Sequence, residues 1–212
     1  MKRKNTNVLK PEYFFNLDKS ITRIYFKLRS ILVSCNKKNS FAIAVSGGPD
    51  SMALVALSDM LKLNENLKFY YLLVDHGIRK GSNKEAKKIK KILKDKKIQL
   101  KIIKIKKKIN KNVQKTARDL RYEVLRKFCK ENKIKFLITA HHKDDQVETF
   151  FIRLSRGSGI EGLSSMNEMT NIGSGITLVR PFLEFHKKEL NNVTKKYFKK
   201  SIKDPSNQNK KF

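Results

Sequence analysis

From Glu12 to about Asn36, apolar residues return at every third or fourth position: Phe14, Leu17, Ile21, Ile24, Tyr25, Leu28, Ile31 and Leu32. That is the period of a helix burying one face, and the polar stretch Asn36–Ser40 ends it. The pattern then changes. Phe41–Ser46 reads FAIAVS, a nearly continuous apolar run that suits a strand covered on both faces. A helical period follows from about Asp50 to Leu63, and then a second apolar strand, LKFYYLLVD, over Leu67–Asp75. Ser82 and Glu85 have the spacing of a capping box and predict a helix to about Lys97. Its lysines fall mostly on the polar face, as in a solvated helix. Gln99–Ile105 alternates as a strand, Asn112–Asn132 has the period of a long helix, Phe136–Ala140 is another buried strand and Asp144–Ser155 another helix. Glycine and serine predict a loop from Gly157 through Gly175, after which TLVRPF and a helix near His186–Lys200 close the pattern. Strand–helix units of this kind imply an α/β fold: a doubly wound, mostly parallel sheet with helices on both faces, preceded by an N-terminal helix. The expected organisation is an N-terminal helical extension over 1–40, a central α/β domain over 41–185, and a C-terminal helix and tail over 186–212.

Composition changes this picture in one respect. The chain has 212 residues, 39% of them hydrophobic and 32% charged, so its core must come from the coherent apolar blocks. Lysine and arginine number 49 against 19 acidic residues, a net charge of +30. A surplus of that size attracts polyanions and implies salt-dependent affinity for RNA or DNA. Lysine, isoleucine and asparagine are also abundant in proteins of AT-rich genomes, so drift is an alternative source of the excess, and charge alone only suggests a partner. The two cysteines, Cys35 and Cys129, form no C-x-x-C, which argues against a zinc ribbon, an iron–sulfur cluster or a disulfide scaffold and fits a reducing cytosol. No apolar run is long enough to span a bilayer, and the basic N-terminus lacks a signal-peptide core and cleavage site. The expected location is cytoplasmic, with no membrane partner.

Three segments carry candidate chemistry. S-G-G-P-D-S, Ser46–Ser51, stands between the first strand and its helix, at the carboxyl end of a strand where parallel sheets bind ligands. Gly47 and Gly48 let the backbone approach a phosphate and take positive φ, and Pro49 in a first helical turn sacrifices no hydrogen bond. Ser46, Ser51 and the helix amides then form an anion nest, beside which Asp50 has a role if it helps hold Mg²⁺. The Walker A pattern is absent. An ordinary glycine turn with a capping aspartate is the plainer reading. D-H-G-I-R, Asp75–Arg79, puts polar groups at the same sheet edge, after the second strand. In the helix from about residue 113, Gln114, Arg118 and either Arg121 or Tyr122 share a face, as a surface salt-bridge ladder or an anion clamp. A-H-H-K-D-D-Q-V-E-T, Ala140–Thr149, follows the fourth strand, and the spacing of Asp144, Asp145 and Glu148 brings carboxylates together on one helix flank. Such a cluster favours a cleft holding a cation or an amine. A metal-hydrolase site and a structural capping cluster are the rival readings.

In sequence order, S-G-G-P-D-S, D-H-G-I-R, Q-x-x-A-R-x-x-R-Y, A-H-H-x-D-D-Q-x-E-T, R-G-S-G-I-E-G-L and R-P-F-L run from about residue 41 to residue 183. The set resembles the tRNA(Ile)-lysidine synthetases, within the PP-loop ATP pyrophosphatases. The resemblance implies a ligase that joins L-lysine to C2 of the wobble cytidine of a CAU-anticodon isoleucine tRNA, with ATP and Mg²⁺, through an adenylated cytosine. It places Ser46, Gly47, Gly48, Pro49, Asp50 and Ser51 on the ATP phosphates, with Asp50 reaching Mg²⁺ through them, and Asp75 and His76 on the adenosine side. Arg118 would steady the charged intermediate or a phosphate. Asp145 and Glu148 would receive the cationic lysine, with His141 nearby as a candidate base, and the loop Arg156–Gly159 would close over the site. The expected partners are that tRNA, L-lysine and, as a candidate, a second copy of the chain.

One departure accompanies the resemblance. D-P-S-N at Asp204–Asn207 starts a family motif that the sequence does not continue beyond Phe212, so a C-terminally truncated form is expected. The alternatives are a thiolase-like PP-loop enzyme, which the lack of paired cysteines disfavours, and a basic RNA-binding remnant with an impaired site. NAD and GMP synthetases share the loop and lack the D-H-G-I-R and H-H-x-D-D blocks.

Overall fold

The computed structural model describes residues 18–35, 40–65, 67–77, 81–105, 113–159 and 164–199, and of Leu63 and Gln114 only the backbone. Helix α1 (Lys19–Ser34) begins where the Asp18 side chain accepts the amide of Ser20 at 2.9 Å, an N-cap that satisfies one of the helix's orphan donors. The earlier part of the amphipathic stretch, from Glu12, lies outside the described residues, as does the D-P-S-N motif. Strand β1 (Ser40–Ala44) leads to α2 (Pro49–Glu65), β2 (Lys68–Asp75) to α3 (Ser82–Asp95), β3 (Leu100–Lys104) to α4 (Val113–Glu131) and β4 (Phe136–Ile138) to α5 (Lys143–Ser155). A hairpin of β5 (Met169–Asn171) and β6 (Thr177–Val179) precedes α6 (Lys187–Phe198).

The strands form one six-stranded sheet in the order β3-β2-β1-β4-β6-β5, parallel except for β5 against β6. Side chains alternate across it as the pleat requires. Phe41, Ile43, Tyr71, Leu73, Ile138 and Val179 join a core with α1, α2, α3 and α6 on one face. Ala42, Leu72, Leu137 and Leu178 join Leu125, Phe128 and Cys129 of α4 on the other. The doubly wound, mostly parallel arrangement is therefore as expected. Described residues of α1 and α6 share a single core with α2: Thr194 Oγ1 donates to Pro49 O at 2.6 Å, and Asn192 and Lys196 both reach Asp18.

Two local expectations are corrected. Gly81, not Ser82, is the N-cap of α3; it takes a left-handed φ of 102°, no side chain caps the helix, and the first intrahelical bond runs from Glu85 N to Gly81 O. The turn selects glycine because that φ strains any residue with a Cβ, which moves Ser82 into the first helical turn. The stretch read as loop through Gly175 contains β5. Its three residues are too few to show a period, and Gly173, Ser174 and Gly175, all at positive φ, make the hairpin turn.

The chain runs β1-α2-β2-α3-β3 along one face, then returns through α4 on the other face to place β4 beside β1. The strand order reverses there, and at such a switch point the loops at the carboxyl ends part to leave a crevice.

Candidate active site

The loop after β1 borders that crevice and is folded around one hydroxyl. Ser51 Oγ accepts from the amides of Ser46 and Gly47, each at 3.2 Å, and from Ser46 Oγ at 3.1 Å, and donates to Gly48 O at 2.9 Å. Gly48 N donates to Ser46 Oγ at 3.3 Å. Gly47 has φ 88°, and a Cβ there would lie 3.0 Å from Ile89 Cγ1, so both backbone and space demand glycine. Gly48 was expected to share the positive φ and does not. Pro49 is the first residue of α2, as the sequence implied. The amides of Asp50 and Ser51 lie in the first turn of α2 and so have no partner within the helix, at the positive end of its dipole. Asp50 Oδ1 is buried without a hydrogen-bond partner. A buried carboxylate oxygen in that state is costly, and a cation shared with bound phosphates would satisfy it, so the residues present fit a magnesium ion.

The segment after β4 meets this loop through His142, a residue sequence reasoning passed over in favour of its neighbour. His142 caps α5: its Nδ1 accepts the amide of Asp145 at 3.3 Å, while Asp145 Oδ2 accepts the amide of His142 at 2.9 Å. Its Nε2 lies 3.6 Å from Asp50 Oδ2, and its Nδ1 lies 3.5 Å from Asp145 Oδ2. One imidazole therefore joins the phosphate loop to the acidic segment. Burial opposes a proton on this ring, but Asp50, Asp145 and Asp144 together outweigh it and raise its pKa. The two influences compete at Nδ1, because accepting the Asp145 amide needs a lone pair there. A neutral ring with its proton on Nε2, facing Asp50, keeps the cap; protonation exchanges the cap for ion pairing.

His141 points elsewhere. Its Nδ1 is 2.8 Å from Thr139 Oγ1, and burial, helped by Arg180 and Arg118 and opposed by Asp145, pushes its pKa down to about 4. The ring is neutral at neutral pH and is a weak base. Asp144 leaves the expected carboxylate group: it accepts the amide of Lys187 at 2.7 Å and faces His186, fastening α5 to the start of α6. Asp145 is half-buried and Glu148 exposed, so two of the three carboxylates remain on the open flank.

At the end of β2, Asp75 is buried and its Oδ1 accepts the amide of Gly77 at 3.0 Å. His76 is half-buried, with Nδ1 unpartnered and Nε2 accepting from Arg121 Nε at 3.3 Å; burial and then Arg121 lower its pKa. Arg121 thereby ties α4 to this edge. Arg118 is exposed, its guanidinium 5.7 Å from the Tyr122 ring centroid. The side chain of Gln114 and residues Ile78 and Arg79 lie outside the description, as do 160–163 beyond the exposed turn at Arg156–Gly159. Among the described residues, no three or more His, Cys, Asp or Glu side chains are grouped to hold a metal by themselves, and no helix is long and apolar enough to cross a membrane. Cys129 is buried in α4 and its pKa is raised to about 11; Cys35 is at the end of α1.

Residues 18–212 match the model of the PP-loop domain family. The chain belongs to that family. This PP-loop domain is 41% identical over 177 residues to the tRNA(Ile)-lysidine synthase of Wolbachia pipientis wMel, covering 82% of this chain and 41% of that protein. It is 41% identical over 174 residues to the tRNA(Ile)-lysidine synthase of Orientia tsutsugamushi (strain Boryong), covering 81% of this chain and 38% of that one. The chain thus spans about two fifths of the length of the curated relatives it matches. Among solved structures, the U34-tRNA thiolase from Methanococcus maripaludis superposes with a TM-score of 0.70 at 19% identity, over 88% of this chain and 66% of that one. At that identity the likeness speaks for the PP-loop fold alone.

Proposed function

We propose that this PP-loop domain activates a tRNA base with ATP and ligates L-lysine to it: the wobble cytidine of CAU-anticodon tRNA(Ile) becomes lysidine, with release of AMP and pyrophosphate. The observation that carries the reading is the His142 bridge, which sets Asp50 of the phosphate loop and Asp145 of the acidic segment on opposite nitrogens of one ring. Adenylation and amine attack require neighbouring sites, because holding the second reactant beside the activated base supplies the proximity term. The similarity to the two lysidine synthases supports the choice of base and amine.

In the proposed sequence, the C2 carbonyl oxygen of cytosine attacks the α-phosphorus of ATP and pyrophosphate leaves. The lysine side-chain amine then attacks C2, loses a proton, and AMP departs with the former carbonyl oxygen. Ser46, Gly47, Gly48 and the first-turn amides of α2 receive the phosphates, and Asp75 and His76 flank the adenosine. Magnesium, held between Asp50 and the phosphates, supplies charge neutralisation. Asp145 and Glu148 take the ammonium. His141, neutral and a weak base, suits hydrogen bonding to the intermediate better than deprotonating an amine. Arg118 lies within electrostatic reach of His141 and so of charge developing there.

Incubating the chain with ATP, magnesium, labelled lysine and CAU-anticodon tRNA tests the reading. Label in the tRNA with stoichiometric AMP supports it. Binding of tRNA without AMP release would instead make the chain an RNA-binding remnant.

A further inference from the structure

Arg180 has no role in the reading above, yet it is the most conspicuous unsatisfied group in the described structure. It follows β6 directly, and Thr139 N donates to Val179 O at 3.0 Å, so Arg180 flanks the Thr139–His142 segment at the carboxyl edge of the sheet. It is only 8% exposed. Nη1 is fixed by Asn167 O at 2.8 Å and Thr170 Oγ1 at 2.9 Å. The other edge of the guanidinium, Nε and Nη2, has no protein partner among the described residues, and Nε is buried. No described carboxylate pairs with it, and the nearby Arg118 adds like charge. An unpaired buried cation is costly, and an Nε/Nη2 edge is the fork that matches a carboxylate with two parallel hydrogen bonds.

The charges facing His141 are of both signs. Asp145 favours a proton on that ring, whereas Arg180 and Arg118 oppose one. Acidic and guanidinium groups converging on one small space match a zwitterion. We propose that Arg180 is the carboxylate-receiving group of the amino-acid subsite, holding the α-carboxylate of the substrate whose ammonium is taken by Asp145 and Glu148. The proposal rests on the reading that free lysine is the co-substrate. It adds a specificity determinant: the subsite selects a free amino acid over a polyamine or an amidated one.

The test compares L-lysine with L-lysinamide and cadaverine, which keep the reacting amine and lack the carboxylate. Binding of each to the whole chain is measured by calorimetry with a non-hydrolysable ATP analogue present. The unaltered protein prefers L-lysine by roughly 10- to 100-fold, the range for charge-assisted hydrogen bonds. Arg180→Gln abolishes the preference, leaving cadaverine and nucleotide binding as before. Thr170→Val, which removes a partner of Nη1 but not the free edge, retains it and controls for the hairpin. Equal binding of lysine and lysinamide by the unaltered chain overturns the proposal without needing a variant that folds. It is also overturned if Arg180→Gln keeps the preference, or weakens nucleotide or tRNA binding instead, which would assign the fork to a phosphate. If none of the three amines binds, the lysine reading itself fails along with it.

Discussion

The two segments that build the site are mirror positions in the fold and are supported very differently. Each follows a strand at the carboxyl edge and opens a helix. Behind the phosphate loop, Ser51 to Ser58 of α2 are all buried, enclosed by α1, α3 and α6. Behind the acidic segment, α5 has no buried residue, and Val147, Phe150, Phe151, Ile152 and Leu154 are between 42% and 59% exposed. It is held at its start by the His142 cap, by Lys143 N donating to Phe185 O and by Asp144 on Lys187, and along its length by paired bonds between Gln146 and Met166 and by Arg153 on Ser164 O. The lesson is one of preorganisation. The half that grips phosphates is part of the core, whereas the half that grips the amine is fastened by polar contacts and has little burial to oppose local opening.

The largest effect that contrast predicts is on stability. Leu57→Ala in α2 should cost about 2–5 kcal/mol, the range for a fully buried leucine in a core that cannot collapse, read from denaturant unfolding. A loss below about 1 kcal/mol would mean that α2 is not the rigid half. Next comes function. Asp145→Asn should raise the lysine requirement by roughly 10- to 100-fold, as for loss of a charged hydrogen bond, while leaving ATP affinity as it was. Steady-state titrations of each substrate separate the two, and equal losses would show that this carboxylate serves both halves.

The junction comes third. His142→Ala removes the cap and the bridge and should destabilise by about 1 kcal/mol. His142→Asn restores a good capping side chain and should recover stability but not the coupling to Asp50, so ATP would no longer promote lysine binding. The two histidines also oppose each other in pH. His142 has a raised folded pKa, so its contribution is complete below the unfolded value near 6.5 and is lost as pH rises through the folded one. His141 is depressed to about 4, so the native state refuses a proton that the unfolded chain accepts, and stability falls as pH drops from about 6.5 towards 4. Urea unfolding across that range should show a shallower acid-side fall in His141→Gln, and an unchanged slope would contradict the assignment. The smallest effect is on α5: Phe151→Ala should change stability by less than about 0.5 kcal/mol, as at other exposed positions.

Much of this was legible one residue at a time. The apolar blocks marked the strands, and the glycine pair with Pro49 marked the turn into α2, because those signals are local. Three features were not. Ser82 with Glu85 has capping spacing, but Gly81 takes the cap because the preceding turn needs a positive φ. Asp144, Asp145 and Glu148 share a flank by arithmetic, yet Asp144 is claimed by Lys187 of a helix 43 positions away. Arg180 offered the one usable hint, a charged residue ending an apolar strand within R-P-F-L, with nothing nearby in sequence to give it a role.

What the amino-acid order determines by itself, then, is the series of strands and helices and the phosphate-binding turn, since periodicity and backbone preference act over a few residues. The tertiary structure decides that β1 lies between β2 and β4. That placement puts Asp50 and Asp145 on the two nitrogens of His142, sends Asp144 to α6 and sets Arg180 beside His141. Strand neighbours are chosen by which face each crossover helix covers, a balance of long-range burial that no local pattern encodes.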